Sequence, residues 1–308
     1  MSPERAGARR GAVRSASRRI RPGRIIGWAC LVALMLVTLF PFYWMLRTAL
    51  STNSGITTEP TSLLPVDLNI DAFLRVLGFT DQAASLAQGG SGSSLDFWLY
   101  LRNSVVMASA ITVFQVFFCA MAAYAFARLR WRGRDLLFFA MISAMLIPPI
   151  FTLLPNYVTM RTLGLDQTLI GLILPYAFMT PFAIFFLRQF FLGVSREMEE
   201  AAALDGLGRG RTFFRIIVPL SWAPISTLAI LTYIGAWNEY LWPLLIANSP
   251  DTRVLTVALG VFKSQTPTGS PDWAGLMAAT LVSAVPLIVL FALLGRRIVD
   301  SIGFSGLK

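Results

Sequence analysis

The sequence predicts an all-α membrane protein with six transmembrane helices, and three observations predict it. Of its 308 residues, 56% are apolar and only 14% are charged, with a mean hydropathy of +0.65; an ordinary soluble domain is about 25% charged. Six apolar segments are long enough for the roughly 20 helical residues that cross about 30 Å of hydrocarbon: Ile25–Leu46, Asn103–Ala127, Leu136–Val158, Leu169–Phe191, Ile217–Ile246 and Leu276–Leu294. The basic residues are distributed unevenly around these segments.

The first segment follows eight Arg residues and spans 22 residues. A signal-peptide apolar region is about 7–15 residues long, so this one is read as a retained helix. The third, fourth and fifth segments carry Pro148 and Pro149, Pro175 and Pro181, and Pro219, Pro224 and Pro243. Proline removes an amide donor and kinks a helix, which suits a pathway with moving parts better than a passive anchor. The loop of residues 47–100 is turn-rich at first. It then has the spacing of a short amphipathic helix at Ile70, Phe73, Leu74 and Leu77, and ends in a Gly/Ser linker at Gln88–Ser94. The loop before the last segment is rich in Pro, Ser, Thr and Gly and holds Trp273, a residue suited to the membrane interface. There is no internal repeat of the kind that marks solenoids.

With the N-terminus in the cytoplasm, 20 of the 26 Lys and Arg residues fall on cytoplasmic segments. This asymmetry predicts a multi-pass protein of the cytoplasmic membrane with both termini inside. It also explains the net charge of +10 without nucleic acid as a partner. The run Arg128–Arg134 reads as a topology anchor, with contact to anionic lipid or a protein partner as the alternative. There is no His, which removes imidazole metal ligands, Ser-His nucleophiles and His proton relays. No metal site and no catalytic residue are expected. Cys30 and Cys119 lie in apolar runs and read as buried, unpaired thiols. Gln115 and Asn156, polar within spans, read as helix–helix hydrogen-bonding residues.

Glu199–Leu220 is water-compatible but lies between two apolar segments. Ser195 is placed to cap a helix from Arg196, and Glu197, Glu199 and Glu200 suit its positive end. Ala201–Leu204 continues it, and Asp205–Gly208 ends it. A second helix starts near Arg209–Thr212. The result is a helix–turn–helix on the cytoplasmic face, suited either to docking in a partner's groove or to solvation as a surface loop. Gly206, Gly208 and Gly210 lack the Lys-Ser/Thr that completes a phosphate-binding loop and follow a helix instead of a strand. Tethering between two spans argues against DNA reading. Glu199 and Glu200, adjacent on a helix, point about 100° apart and make no acid–base pair.

These residues carry a resemblance. Glu200-Ala201-Ala202, Gly206, Ile216 and Val218-Pro219 are spaced like the EAA motif of ABC-importer permeases, with Val218 where Leu is usual. Pro41–Leu50, Arg102–Ala108, Ala123–Leu137, Leu163–Tyr176, Phe185–Phe191 and Gly235–Leu245 extend the likeness over nearly the whole chain after Ile25. They resemble the carbohydrate-uptake branch, of the maltose-permease (MalG) type. The resemblance implies a type I importer permease fold with a cytoplasmic coupling helix between spans four and five. Residues 1–24 would be an Arg-rich tail, 25–46 the first span, 47–100 an outer loop, 101–296 the permease domain and 297–308 a tail. Glu200, Ala201, Ala202, Asp205 and Gly206 would dock on an ATP-binding subunit. The other partners implied are a second, homologous permease subunit, a solute-binding protein and a sugar. This chain would bind no cofactor, with ATP and Mg on the partner ATPase.

Trp237, Asn238, Glu239 and Tyr240 interrupt the fifth apolar segment. A carboxylate at membrane depth usually faces a cavity or a partner, and Glu239 falls about 10 Å outward of the segment's centre at 1.5 Å per residue. The aromatic rings suit stacking on sugar faces, and Asn238 and Glu239 suit bonding to hydroxyls, which makes the four a candidate sugar path. The alternative is an interface belt with a structural carboxylate. Two other functions fit less well. Glycerol-3-phosphate or a polyol would use the same machinery, but no cation lies mid-membrane. An ion-coupled secondary transporter usually carries more intramembrane ionisable residues and often a repeat.

Overall fold

The computed structural model describes residues 22–80, 95–264 and 271–303, so most of the Arg-rich start, the Gly/Ser linker and the last five residues lie outside it. All regular structure among the described residues is helical. The chain divides into two compact units, Met1–Trp44 and Met45–Lys308.

Helix α1 (Pro22–Ala49) begins in the first unit and ends in the second. Up to Trp44 its large apolar side chains are exposed, including Ile26, Leu34 and Val37. A helix apolar all round is built for lipid or a partner surface. Cys30 is exposed with its neighbours, against the expectation of a buried thiol, because no other described segment of its own unit covers this stretch. Cys119 is buried, and both thiols are free.

In the second unit, α2 (Asn53–Thr58) and α3 (Asp71–Val76) lead to α4 (Phe97–Arg128), 32 residues without Gly or Pro. Two helices follow, α5 (Arg134–Ser143), with a 3-10 turn to Leu146, and α6 (Ile150–Thr162). They bend by 101° at Pro148 and Pro149. Ile147, ahead of the first proline, is driven into extended geometry at ψ 115°. The expected fourth span is two short helices, α7 (Leu169–Ile173) and α8 (Pro181–Leu192), joined through Pro175 and an extended Thr180.

The segment that follows α8 comprises α9 (Arg196–Leu204) and α10 (Arg209–Thr212), which runs through a π turn (Phe213–Ile217) into α11 (Val218–Leu220). The π turn adjoins Pro219, which has no amide to donate one turn back. After an 81° bend at Ser221 comes α12 (Trp222–Asn238). Then follow α13 (Leu241–Ile246), α14 (Leu255–Ser264) and α15 (Trp273–Gly303).

Helix α4 is the centre of this unit. It packs on α8 and α12, and α12 packs on α15. Ala120, Ala123, Leu187, Phe191, Phe213 and Ile217 form the core near the end of α4. Among the described residues, three helices are long and apolar enough to cross a membrane, or five if each bent pair is one span. The difference from six lies in the fourth segment, which proline divides. Two polar side chains of α4 bond to other segments. Asn103 donates to the Asp251 and Arg253 carbonyls, and Gln115 to Thr180 Oγ1 at 3.0 Å.

Candidate functional site: a cavity between helices and a projecting helix

The polar interruption of the fifth segment forms where proline predicts a break. Pro243 offers no N–H to the Glu239 carbonyl four residues earlier, and its ring crowds that oxygen. The helix stops at Asn238, and Glu239 is extended, at φ −63° and ψ 130°. The freed Glu239 carbonyl accepts from Thr256 Oγ1 at 2.8 Å. The Glu239 carboxylate accepts from the Trp242 backbone N–H at 3.3 Å, capping α13. The Trp242 indole is fully buried and donates to the Leu172 carbonyl at 3.2 Å.

Glu239 also lines a cavity of about 260 Å³ between α4, α7, α8 and α12. Its other polar lining groups are Gln115, Tyr176, Thr180 and Thr232, with Met107, Leu228 and Trp242 among the apolar ones. The lining holds a single carboxylate and no Arg or Lys. The four residues singled out in the sequence therefore separate. Glu239 reaches the cavity. Trp237 is 5% exposed and stacks on Tyr233 at 5.9 Å. Asn238 donates to the Ile234 carbonyl and is exposed. Tyr240 is exposed and lies against Gly260, where a Cβ would meet its hydroxyl at 3.0 Å. Tyr176, Thr180 and Thr232 were missed, because Tyr and Thr in an apolar run give no signal until neighbouring helices converge.

The segment from Ser195 to Leu207 folds as its local chemistry dictates. Ser195 Oγ accepts from the Glu197 N–H at 3.2 Å. At the other end of α9, Gly206 takes a left-handed φ of 78°. The amides of Gly206 and Leu207 then close on the Ala203 and Ala202 carbonyls, at 3.1 and 2.9 Å. Of the expected docking residues, Glu200, Ala201, Asp205 and Gly206 are exposed, while Ala202 turns inward. Leu204 is 89% exposed, on the same face as Glu200 and Ala201.

Residues 115–303 match the family of the binding-protein-dependent transport system inner membrane component. The probable ABC transporter permease protein YurM of Bacillus subtilis is 31% identical over 91% of this chain and 87% of its own length. The diacetylchitobiose uptake system permease NgcG of Streptomyces coelicolor is 29% identical over 90% of this chain and 86% of its own. The trehalose/maltose transport system permease MalG of Thermococcus litoralis is 29% identical over 90% and 94%. The same fold occurs in a solved bacterial ABC transporter involved in import of the acidic polysaccharide alginate, with a TM-score of 0.76 at 23% identity over 91% of this chain and 98% of that one. The chain belongs to the family of inner-membrane permease components of binding-protein-dependent transport systems, and it is a multi-pass membrane protein.

Proposed function

We propose that this chain is one of two homologous permease subunits of an ATP-driven importer that moves a mono- or oligosaccharide into the cell by alternating access. It crosses the membrane six times with both termini inside. The fourth span is the jointed pair α7 and α8, and residues 101–296 form the permease domain proper. A dimer of ATP-binding subunits receives α9 through Glu200, Ala201, Asp205, Gly206 and Leu204, with Ala202 packing beneath. ATP and Mg are held on that partner, and this chain performs no covalent chemistry. A solute-binding protein delivers the cargo at the outer face.

The observation that carries the cargo assignment is the cavity lining. Amide, hydroxyl and carboxylate groups without a cation suit a neutral polyhydroxyl ligand, and a phosphate would meet the Glu239 carboxylate with nothing to offset it. This favours a sugar over glycerol-3-phosphate. The sugars named for NgcG and MalG agree in class. Within the expected sugar path Glu239 is the lining residue, Asn238 and Tyr240 flank it on exposed surface, and Trp237 backs it from the core.

The test is uptake of a panel of radiolabelled sugars and glycerol-3-phosphate by proteoliposomes that hold the complete complex. The expected result is uptake of a sugar that needs ATP on the cytoplasmic side and the binding protein on the other. Uptake driven by an ion gradient without ATP would contradict it.

A further inference from the structure

The arginine that closes α4 is bonded within the protein. The Arg128 side chain is 4% exposed, whereas its neighbours Arg130 and Arg132 are exposed. Arg128 Nη2 donates to the carbonyls of Phe191 and Val194. Phe191 lies in the last turn of α8, and Val194 is the middle residue of the elbow Gly193–Ser195 that leads to α9. Carbonyls at a helix C-terminus lack intrahelical donors and sit at the negative end of the dipole. On its other side, Arg128 Nε lies 3.0 Å from Glu199 Oε1, in the first turn of α9. The two atoms are buried and not aligned as a hydrogen bond, so the contact is ionic. One guanidinium thus joins the ends of α4 and α8 to the start of α9, a use for which arginine's rigid fork is suited.

A second tie lies one turn back on the same face of α4. Tyr124 Oη donates to the Arg209 carbonyl at 3.4 Å, and its ring packs on Phe213 at 5.2 Å. The cytoplasmic segment is therefore held at both ends by two residues of α4.

We propose that Arg128, with Tyr124 as its companion, is the positioning residue that makes α9 move rigidly with α4 and α8. A push on α9 then reaches the transmembrane body instead of being absorbed at the Gly193–Ser195 elbow. This rests on α9 being the coupling helix. Loss of Arg128 should leave the outward face of α9, with Glu200 and Leu204, free to bind the ATPase while the docked helix swivels.

The experiment uses the purified complex in nanodiscs, with Cys30 and Cys119 replaced by Ser and spin labels at Met198→Cys on α9 and Met121→Cys on α4, both exposed positions outside the docking residues. Distances are read by electron–electron resonance without nucleotide and with Mg-ATP and vanadate. The otherwise unmodified pair should give one narrow distance that is the same in both states, because α9 travels with α4. Arg128→Gln should retain the ATPase subunit but show a broad distribution that changes with nucleotide, and Arg128→Lys, which keeps the charge but not the fork, should narrow it only in part. A narrow, nucleotide-independent distance in Arg128→Gln would overturn the proposal, as would a nucleotide-dependent shift in the unmodified pair. So would loss of the ATPase subunit from Arg128→Gln, which would make the residue part of the docking surface or the fold. Failure of the underlying coupling reading would show differently: Leu204→Asp would keep its full share of ATPase.

Discussion

The carboxylate of Glu239 accepts the backbone N–H of Trp242 at 3.3 Å while lining the cavity between α4, α7, α8 and α12, so one side chain serves both the start of α13 and the proposed cargo path. The two roles separate by substitution. Glu239→Gln keeps an acceptor for the amide and removes the charge. It should assemble normally and raise the KM for uptake about tenfold, a loss of about 1.4 kcal/mol typical of a charged hydrogen bond. Glu239→Ala should also lose about 1 kcal/mol of stability with the cap, seen as a lower melting temperature in detergent. Unchanged KM in Glu239→Gln would remove Glu239 from the path.

Asp272 is the most heavily bonded carboxylate among the described residues. It accepts from Asn53 Nδ2 at 2.8 Å, the Gly275 amide at 2.7 Å and Arg75 Nη2 at 3.2 Å, with its side chain 2% exposed. Breaking a buried pair by deleting one partner costs about 3–5 kcal/mol. Asp272→Ala should therefore give little monodisperse protein on fluorescence-detected size exclusion, with Arg75→Ala close behind. Gly275→Ala should fail similarly, because its Cβ would lie 2.6 Å from the same carboxylate.

The exposed face of α9 should matter to assembly and not to folding. Leu204→Asp and Glu200→Lys touch nothing buried, so melting temperature should hold within about 0.5 kcal/mol of stability. Co-purification of the ATPase subunit should fall sharply in Leu204→Asp. Glu200→Lys should lose the ATPase or hydrolyse ATP without uptake. Wild-type uptake in both would refute the docking role.

The N-cap of α9 offers a milder perturbation. Ser195→Ala removes the acceptor for the Glu197 amide and should cost about 1 kcal/mol locally. Hydrogen exchange should rise at the amides of the first turn of α9 and stay unchanged in α12, where nothing depends on Ser195.

What was legible in the sequence was local. Ser195 as cap, Asp205-Gly206 as stop and the short helix near Phe73 depend on neighbours in the chain, and each formed where expected. The break at Glu239 was legible in part, since counting back four residues from Pro243 finds the carbonyl that loses its donor. The fourth segment was expected to kink at Pro175 and Pro181; it divides instead into α7 and α8, because each proline lacks the amide that would bond one turn back. The tasks of Arg128 and Tyr176 could not be read. Both depend on helices more than 50 residues away in sequence, and in a one-letter string Arg128 is one of four arginines in a basic run.

The central claim, that this chain works inside a heteromeric ATP-driven importer, is tested most directly by isolating the chain from its native membrane in mild detergent and identifying what accompanies it. The account predicts a second permease subunit and an ATP-binding subunit in fixed proportion. Recovery of the chain alone, or only with copies of itself, under conditions that keep other ABC complexes whole would contradict it.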